Sequence, residues 1–117
     1  SQPIYSQLAD RIKRQILRGE LKPGEKLPSV REMAVQTNVN PNTVQRTYRE
    51  LEGMNIVETR RGQGTFVTEN AAILNELREQ MKVQEISAFV KGMREMGYTN
   101  EEIKQGLEDF LHIEGEV

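Results

Sequence analysis

Ile4, Leu8, Ile12 and Ile16 repeat every four residues, the spacing that lines side chains up on one face of a helix. Pro3 suits the first helical turn, where its missing N–H costs nothing, and Gly19 can close the helix. A first helix is therefore predicted from Pro3 to Gly19. The stretch LKPGEKLP breaks the pattern. Pro23-Gly24 is a turn signal, and Leu27, just before Pro28, should be extended. Ser29 and Glu32 form an S-x-x-E capping box, so a second helix starts there, with Val30, Met33 and Ala34 on its apolar side. TNVN, residues 37–40, interrupts again. Asn40 can cap a third helix with Pro41 in its first position. Val44, Tyr48 and Leu51 then recur at i, i+4 and i+7. Two short helices this close together read as a helix-turn-helix.

After Met54 the period shortens. IVETR and GTFVT are β-like runs joined by RGQG, in which Gly62 and Gly64 supply the turn chemistry. This predicts a hairpin with Arg60 and Arg61 at a basic tip, and a helix-turn-helix followed by such a hairpin is a winged helix. From Glu69 onward no strand signal remains. Ile73, Leu77, Met81, Ile86, Phe89 and Met93 trace a long helix to about Met96, ended by Gly97. Thr99 and Glu102 form a second capping box, and Ile103, Leu107, Phe110 and Leu111 mark a short amphipathic helix. Two helices enclose little core, so their apolar faces need the N-terminal domain or a second copy of the chain. The expected fold is mainly α with a small β-hairpin. It comprises a winged helix-turn-helix domain over residues 1–68 and a two-helix C-terminal dimerisation region over residues 69–117.

The third predicted helix raises a chemical question. At 100° per residue, Asn42, Gln45, Arg46 and Arg49 fall opposite its apolar face, and none of the four is acidic. The DNA major groove admits a helix, its base edges suit the forked donors and acceptors of Asn, Gln and Arg, and its phosphates repel carboxylates. A solvated helix face would also be polar. Three neighbours favour the DNA reading: the preceding helix at helix-turn-helix spacing, Arg31 near that helix's start, and the arginines of the hairpin tip.

Charge sharpens this picture. Residues 1–68 hold 11 Lys/Arg against 7 Asp/Glu, whereas residues 69–117 hold 5 against 11, so a net charge of −2 hides a basic half and an acidic half. With 36% hydrophobic and 29% charged residues the chain should fold and be soluble. No apolar run approaches membrane-spanning length. The opening SQPIYSQ lacks the segments of a signal peptide, so a cytoplasmic protein is the expectation. There is no Cys and one His, His112, which reads as a surface residue; neither a metal nor another cofactor is expected. The carboxylate pairs Glu101/Glu102 and Glu108/Asp109 suit solvated helix faces. The Gly-x-Gly of RRGQG lies between two strand-like runs, where a phosphate-cradling loop should precede a helix. No nucleophile motif is visible, so the chain is not expected to be an enzyme.

The stretch IYSQLADRIKRQILRGELKPGEKLPSVREMAVQTNVNPNTVQRTYRELEGMNIVETRRGQGTFV resembles the DNA-binding domain of GntR-family bacterial transcription regulators. The telling pieces are ILRGELKPGEKLPSVRE, then VNPNTVQRTYREL, then RGQGTFV, and the resemblance covers residues 4–67. The short two-helix tail is similar to that of the YtrA-type subfamily. The resemblance implies a homodimeric winged helix that binds an inverted-repeat operator in double-stranded DNA. By position, Arg31 matches the family's DNA-reaching arginine on the second helix. Asn40, Asn42, Thr43 and Gln45 match its recognition-helix contacts, and Arg61 and Gly62 its wing tip in the minor groove. Arg46 and Arg49 come from the helical wheel alone, as phosphate contacts. Some subfamilies carry arginine where this chain has Pro41 and Gln45, so their base preferences do not transfer. Members of this short type often repress transporter operons that include their own gene.

The resulting expectation is a homodimeric repressor whose residues 70–112 form the dimer contact. The plainer alternative for that tail is a helical cap on its own domain. A rival reading of the whole chain is a protein-interaction module on a winged-helix scaffold, which would show no salt-dependent DNA binding. A small-molecule effector is left open, because no constellation of residues selects one.

Overall fold

Helix ends in this protein are set by short local signals. The computed structural model describes residues 2–115. Helix α1 (Ile4–Leu17) is preceded by Pro3, whose carbonyl accepts from the Gln7 N–H at 3.2 Å. It ends in a Schellman motif: Gly19 takes φ +82, its N–H reaches the Ile16 carbonyl, and the Glu20 N–H reaches the Gln15 carbonyl. Helix α2 (Val30–Thr37) opens on the expected capping box. The Glu32 N–H donates to Ser29 Oγ at 3.1 Å, and the Ser29 N–H donates to Glu32 Oε1 at 2.9 Å. Helix α3 (Pro41–Gly53) has Asn40 as its cap and Pro41 in its first turn, as the sequence predicts. Its far end repeats the Schellman pattern with Asn55 at φ 62, a signal the sequence reading did not use.

Strand β1 (Val57–Arg60) pairs antiparallel with β2 (Gly64–Val67), Val57 opposite Val67 and Arg60 opposite Gly64. A third segment joins this hairpin. The Leu27 N–H donates to the Thr65 carbonyl at 2.8 Å, the Val67 N–H to the Glu25 carbonyl at 2.9 Å, and the Gly24 N–H to the Val67 carbonyl at 2.9 Å. The chain before Pro28 is thus extended, as predicted, and it also covers the outer edge of β2. Edge coverage removes a row of unpaired backbone groups.

Within residues 2–78, α1 and α2 both pack on α3. Ile12, Leu27, Val44 and Leu51 are fully buried, and Ile56, Val57 and Val67 extend the core into the root of the hairpin. Met33, Ile16 and Tyr48 are buried as periodicity predicts, whereas Ile4, the first member of the four-residue repeat, is exposed at the very start of α1. Two polar groups in this core find internal partners. The Thr47 hydroxyl lies within hydrogen-bond distance of the carbonyls of Thr43, at 2.9 Å, and Tyr5, at 3.3 Å. The Tyr48 hydroxyl donates to the Pro28 carbonyl at 2.7 Å. Burial, and then the nearby Glu32 charge, raises the Tyr48 phenol's pKa above its ordinary value, so it remains a donor.

Helix α4 (Ala71–Glu95) is capped by Asn70, whose Oδ1 accepts from the N–H groups of Ala72 and Ile73. Its first turns belong to the same compact unit as the winged helix: Leu77 is buried, and Arg78 Nη2 donates to the Leu17 carbonyl at 3.1 Å. The second compact unit comprises residues 79–115. There α4 ends at Gly97, with φ +90 and the same Schellman bonds. Helix α5 (Asn100–Gly115) starts at the predicted Thr99/Glu102 box, and Arg94 holds the Asn100 side chain. Averaged over its length α4 has no single apolar face, unlike the pattern expected for a simple amphipathic helix. Ile103 is buried, whereas Phe110 and Leu111 are 57% and 59% exposed, so much of this unit's apolar surface meets water in a single chain. Among the described residues, no helix is long and apolar enough to cross a membrane.

The Tyr48 hydroxyl is the one side-chain hydrogen bond joining α3 to the Pro28 segment among those described. Tyr48→Phe should lower stability by about 1–2 kcal/mol, because it leaves the Pro28 carbonyl without its donor. Urea unfolding should show a lower midpoint with an unchanged slope. An unchanged midpoint would mean that water replaces the phenol.

Candidate nucleic-acid interface

The turn between α2 and α3 sets what α3 displays. Asn38 takes the left-handed conformation at φ 56, an arrangement Asn tolerates better than most residues, and the Val39 N–H returns to the Ala34 carbonyl at 3.2 Å. Asn40 then caps α3, its Oδ1 accepting from the Asn42 N–H at 2.8 Å. Val44, Thr47, Tyr48 and Leu51 turn inward, which leaves Asn42, Gln45, Arg46 and Arg49 exposed. The face predicted from the wheel is therefore the face presented to solvent. Thr43 is half-buried, and its carbonyl accepts the Thr47 hydroxyl. The Asn40 oxygen accepts the capping bond, and its NH₂ adds two donors at the start of α3.

No acid occupies the first turn of α3, so its partial positive N-terminus is not neutralised there. The helix's acids are confined to its last turn. One of them, Glu52, accepts from the Thr59 N–H at 3.2 Å and ties α3 to β1. Arg31 is exposed in the first turn of α2, beside the capping box that fixes that end. Hydrogen bonds from the Ser29 backbone and hydroxyl hold the Glu32 carboxyl below its ordinary 4.5, with the Lys26 charge adding to them.

The hairpin tip separates its two arginines. The Arg60 guanidinium lies 4.3 Å from the centre of the Phe66 ring, with Nη2 4.0 Å from Glu58 Oε2, so it lies along the sheet. Arg61 stands exposed in the three-residue loop with Gly62 and Gln63. Gly62 at φ +76 and Gly64 at φ +124 supply backbone conformations that side-chain-bearing residues rarely adopt. Gly64 does a second thing. A Cβ there would come 2.6 Å from Lys26 Cε, so the bare glycine lets this lysine lie across the root of the tip.

Lys26 was not among the residues singled out by periodicity or motif, and no local signal marks it; its position follows from the pairing of residues 24–27 with β2. Tyr5 was missed for a similar reason. The Arg46 guanidinium lies 3.8 Å from the centre of the Tyr5 ring, so the exposed face of α3 borders the start of α1. The arrangement offers donors and acceptors on one helix, cations on its flank and a basic loop. It has no buried acid–base pair and, among the described residues, no group of three His, Cys or carboxylates able to hold a metal.

Residues 4–67 match the model for bacterial regulatory proteins of the gntR family. The chain belongs to the GntR family. Over 110 residues it is 56% identical to the HTH-type transcriptional regulator YhcF of Bacillus subtilis (strain 168), covering 94% of this chain and 91% of that protein. It is 43% identical to the HTH-type transcriptional repressor YtrA of the same organism, over 90% of this chain and 85% of the relative. A GntR family transcriptional regulator from Listeria monocytogenes superposes with a TM-score of 0.85 at 37% identity, over 93% of this chain and 96% of that one. The DNA-binding domain of AraR, solved in complex with an operator, superposes with a TM-score of 0.56 at 28% identity, over 58% of this chain and 82% of that one. This GntR-family chain is thus a transcriptional regulator with a winged helix-turn-helix DNA-binding domain, and the resemblance to YtrA holds beyond that domain.

The capping box makes the family domain's stability pH-dependent. Glu32 has a folded pKa below its unfolded value, so its contribution is complete above about pH 4.5 and lost as pH falls through the folded value. Glu32→Gln should remove part of that dependence, flattening the fall of the thermal midpoint on acidification below pH 4.5 relative to wild type. Parallel curves would show that other carboxylates carry the acid sensitivity.

Proposed function

We propose that this GntR-family regulator is a homodimeric repressor that binds an inverted-repeat operator in double-stranded DNA. The observation that carries the reading is the exposed, acid-free set Asn42, Gln45, Arg46 and Arg49 on α3. Gln45 and Asn42 suit base edges in the major groove; Arg46 and Arg49 suit phosphates. Asn40 and Thr43 complete the contacts at the start of α3, Arg31 reaches the backbone from α2, and Arg61 and Gly62 bring the wing to the minor groove. The repressor assignment is supported by the YtrA relative's name, and the operator by AraR's complex.

DNA binding is assigned to residues 1–68 and dimerisation to the tail of residues 69–117, which works in the bacterial cytoplasm. Apolar residues such as Ile86, Phe89, Phe110 and Leu111 are 43–59% exposed in the single chain, more than a cap on one domain leaves open. A two-fold axis would set the two α3 helices near one DNA turn apart, ~34–36 Å. A protein-interaction module fits the acid-free face less well, because nothing about such a role disfavours carboxylates there.

Fluorescence anisotropy with DNA from upstream of the protein's own gene, against a scrambled duplex over a salt series, tests this reading. Gln45→Ala should narrow the gap between the two duplexes by about 1–3 kcal/mol. Arg46→Ala should weaken binding to both and lower the salt slope by about one per subunit. Wild-type binding insensitive to salt would favour the interaction module. A chain ending at Arg78, which keeps the buried Leu77, should sediment as a monomer and bind the upstream DNA far more weakly. An undiminished dimer would refute the tail's role.

A further inference from the structure

Arg46 differs from the other exposed residues of α3 in being held by a different helix. We propose that Tyr5 is a positioning residue that orients the Arg46 guanidinium toward a DNA phosphate, an inference that rests on the DNA-binding reading of α3. The guanidinium lies 3.8 Å from the centre of the Tyr5 ring, well inside cation–π range. The backbone that carries the ring is itself anchored. Tyr5 is half-buried in the first turn of α1, and its carbonyl lies 3.3 Å from the hydroxyl of Thr47, the residue next to Arg46. One residue of α1 therefore meets two consecutive residues of α3, its carbonyl at Thr47 and its ring at Arg46, which places the start of α1 in register with the arginine.

What Arg46 leaves unpaired matters as much. Glu50 lies at i+4 on the same helix, where a carboxylate ordinarily takes a guanidinium. No such ion pair forms, and among the described residues Arg46 has no acidic partner. Stacking covers the flat face of a guanidinium and leaves its in-plane N–H donors available. A phosphate needs that edge, whereas a carboxylate partner would have occupied it. Holding the long side chain against a ring also reduces the conformational entropy lost on contact. No acid occupies the first turn of α1, so the turn that carries Tyr5 adds no carboxylate of its own to compete for the guanidinium.

A phosphate contact does not depend on sequence, so a short fluorescein-labelled duplex of random sequence is the probe, titrated with salt against the full chain. Arg46→Ala should lower the slope of log affinity against log salt by about 0.9 per subunit. Tyr5→Leu keeps apolar volume but removes the π face, and should reproduce that loss in slope and affinity. Tyr5→Phe should bind like wild type. Tyr5→Leu added to Arg46→Ala should change nothing further, which a merely structural role for Tyr5 would not produce. Independent, additive losses would overturn the proposal, as would a Tyr5→Phe defect equal to that of Tyr5→Leu. A wild type with a steep slope that Arg46→Ala leaves intact would overturn it while sparing the DNA-binding reading. A wild type without salt-dependent binding would remove both. If Tyr5→Leu fails to fold, the wild-type Arg46 Nε–H resonance decides: it should shift when the duplex is added, and an unmoved signal overturns the contact.

Discussion

The burial of one stripe of α3 is the constraint on which the rest of the molecule depends. Val44, Thr47, Tyr48 and Leu51 lie inward against α1 and α2, and a helix is stiff enough that fixing one side fixes the other. Asn42, Gln45, Arg46 and Arg49 are outward for that reason alone. The polar members of the stripe strengthen this commitment. Thr47 engages carbonyls of α3 and α1, and Tyr48 reaches the carbonyl of Pro28. No buried side-chain nitrogen or oxygen among the described residues lacks a partner, so rotating α3 about its axis would forfeit bonds as well as packing.

Local devices then turn the chain where the core requires it. The Schellman pattern recurs at Gly19, Asn55 and Gly97, each time with a positive φ that allows two helical carbonyls to be satisfied while the chain changes direction. The turn after α3 leads into the hairpin, and Glu52 braces β1 against the helix it has just left. The two-stranded hairpin gains backbone hydrogen bonds from the extended segment of residues 24–27. A two-stranded ribbon is marginal in water, and this addition supports its root while its tip stays free to meet a ligand.

In the second unit the balance between burial and exposure is different. Residues 2–78 bury a continuous core, whereas residues 79–115 bury Ile103 and leave large apolar side chains open. An isolated pair of helices gains little from its own packing, and the apolar surface it leaves open is the observation on which the proposed dimer rests. The same reasoning applies to charge. The basic residues concentrate in the part that carries the family domain, and the acids in the tail.

The elements themselves were legible from the sequence because their causes are short-range. Four-residue apolar spacing, two capping boxes, an Asn-Pro helix start and a glycine-bounded hairpin each act over a few residues, and all of them produced the predicted element. The exposed face of α3 was legible too, since a helical wheel needs nothing beyond the helix. Tertiary structure alone decided which distant groups meet that face and that hairpin. The Tyr5 ring lies on Arg46, Lys26 lies across Gly64, Arg60 lies down on Phe66 and away from the tip, and Leu77 joins the first unit. The Tyr5 carbonyl and the Thr47 hydroxyl that anchor the first of these pairs are 42 positions apart. No propensity or periodicity acts over such a separation; only the packing of α1 on α3 brings them together.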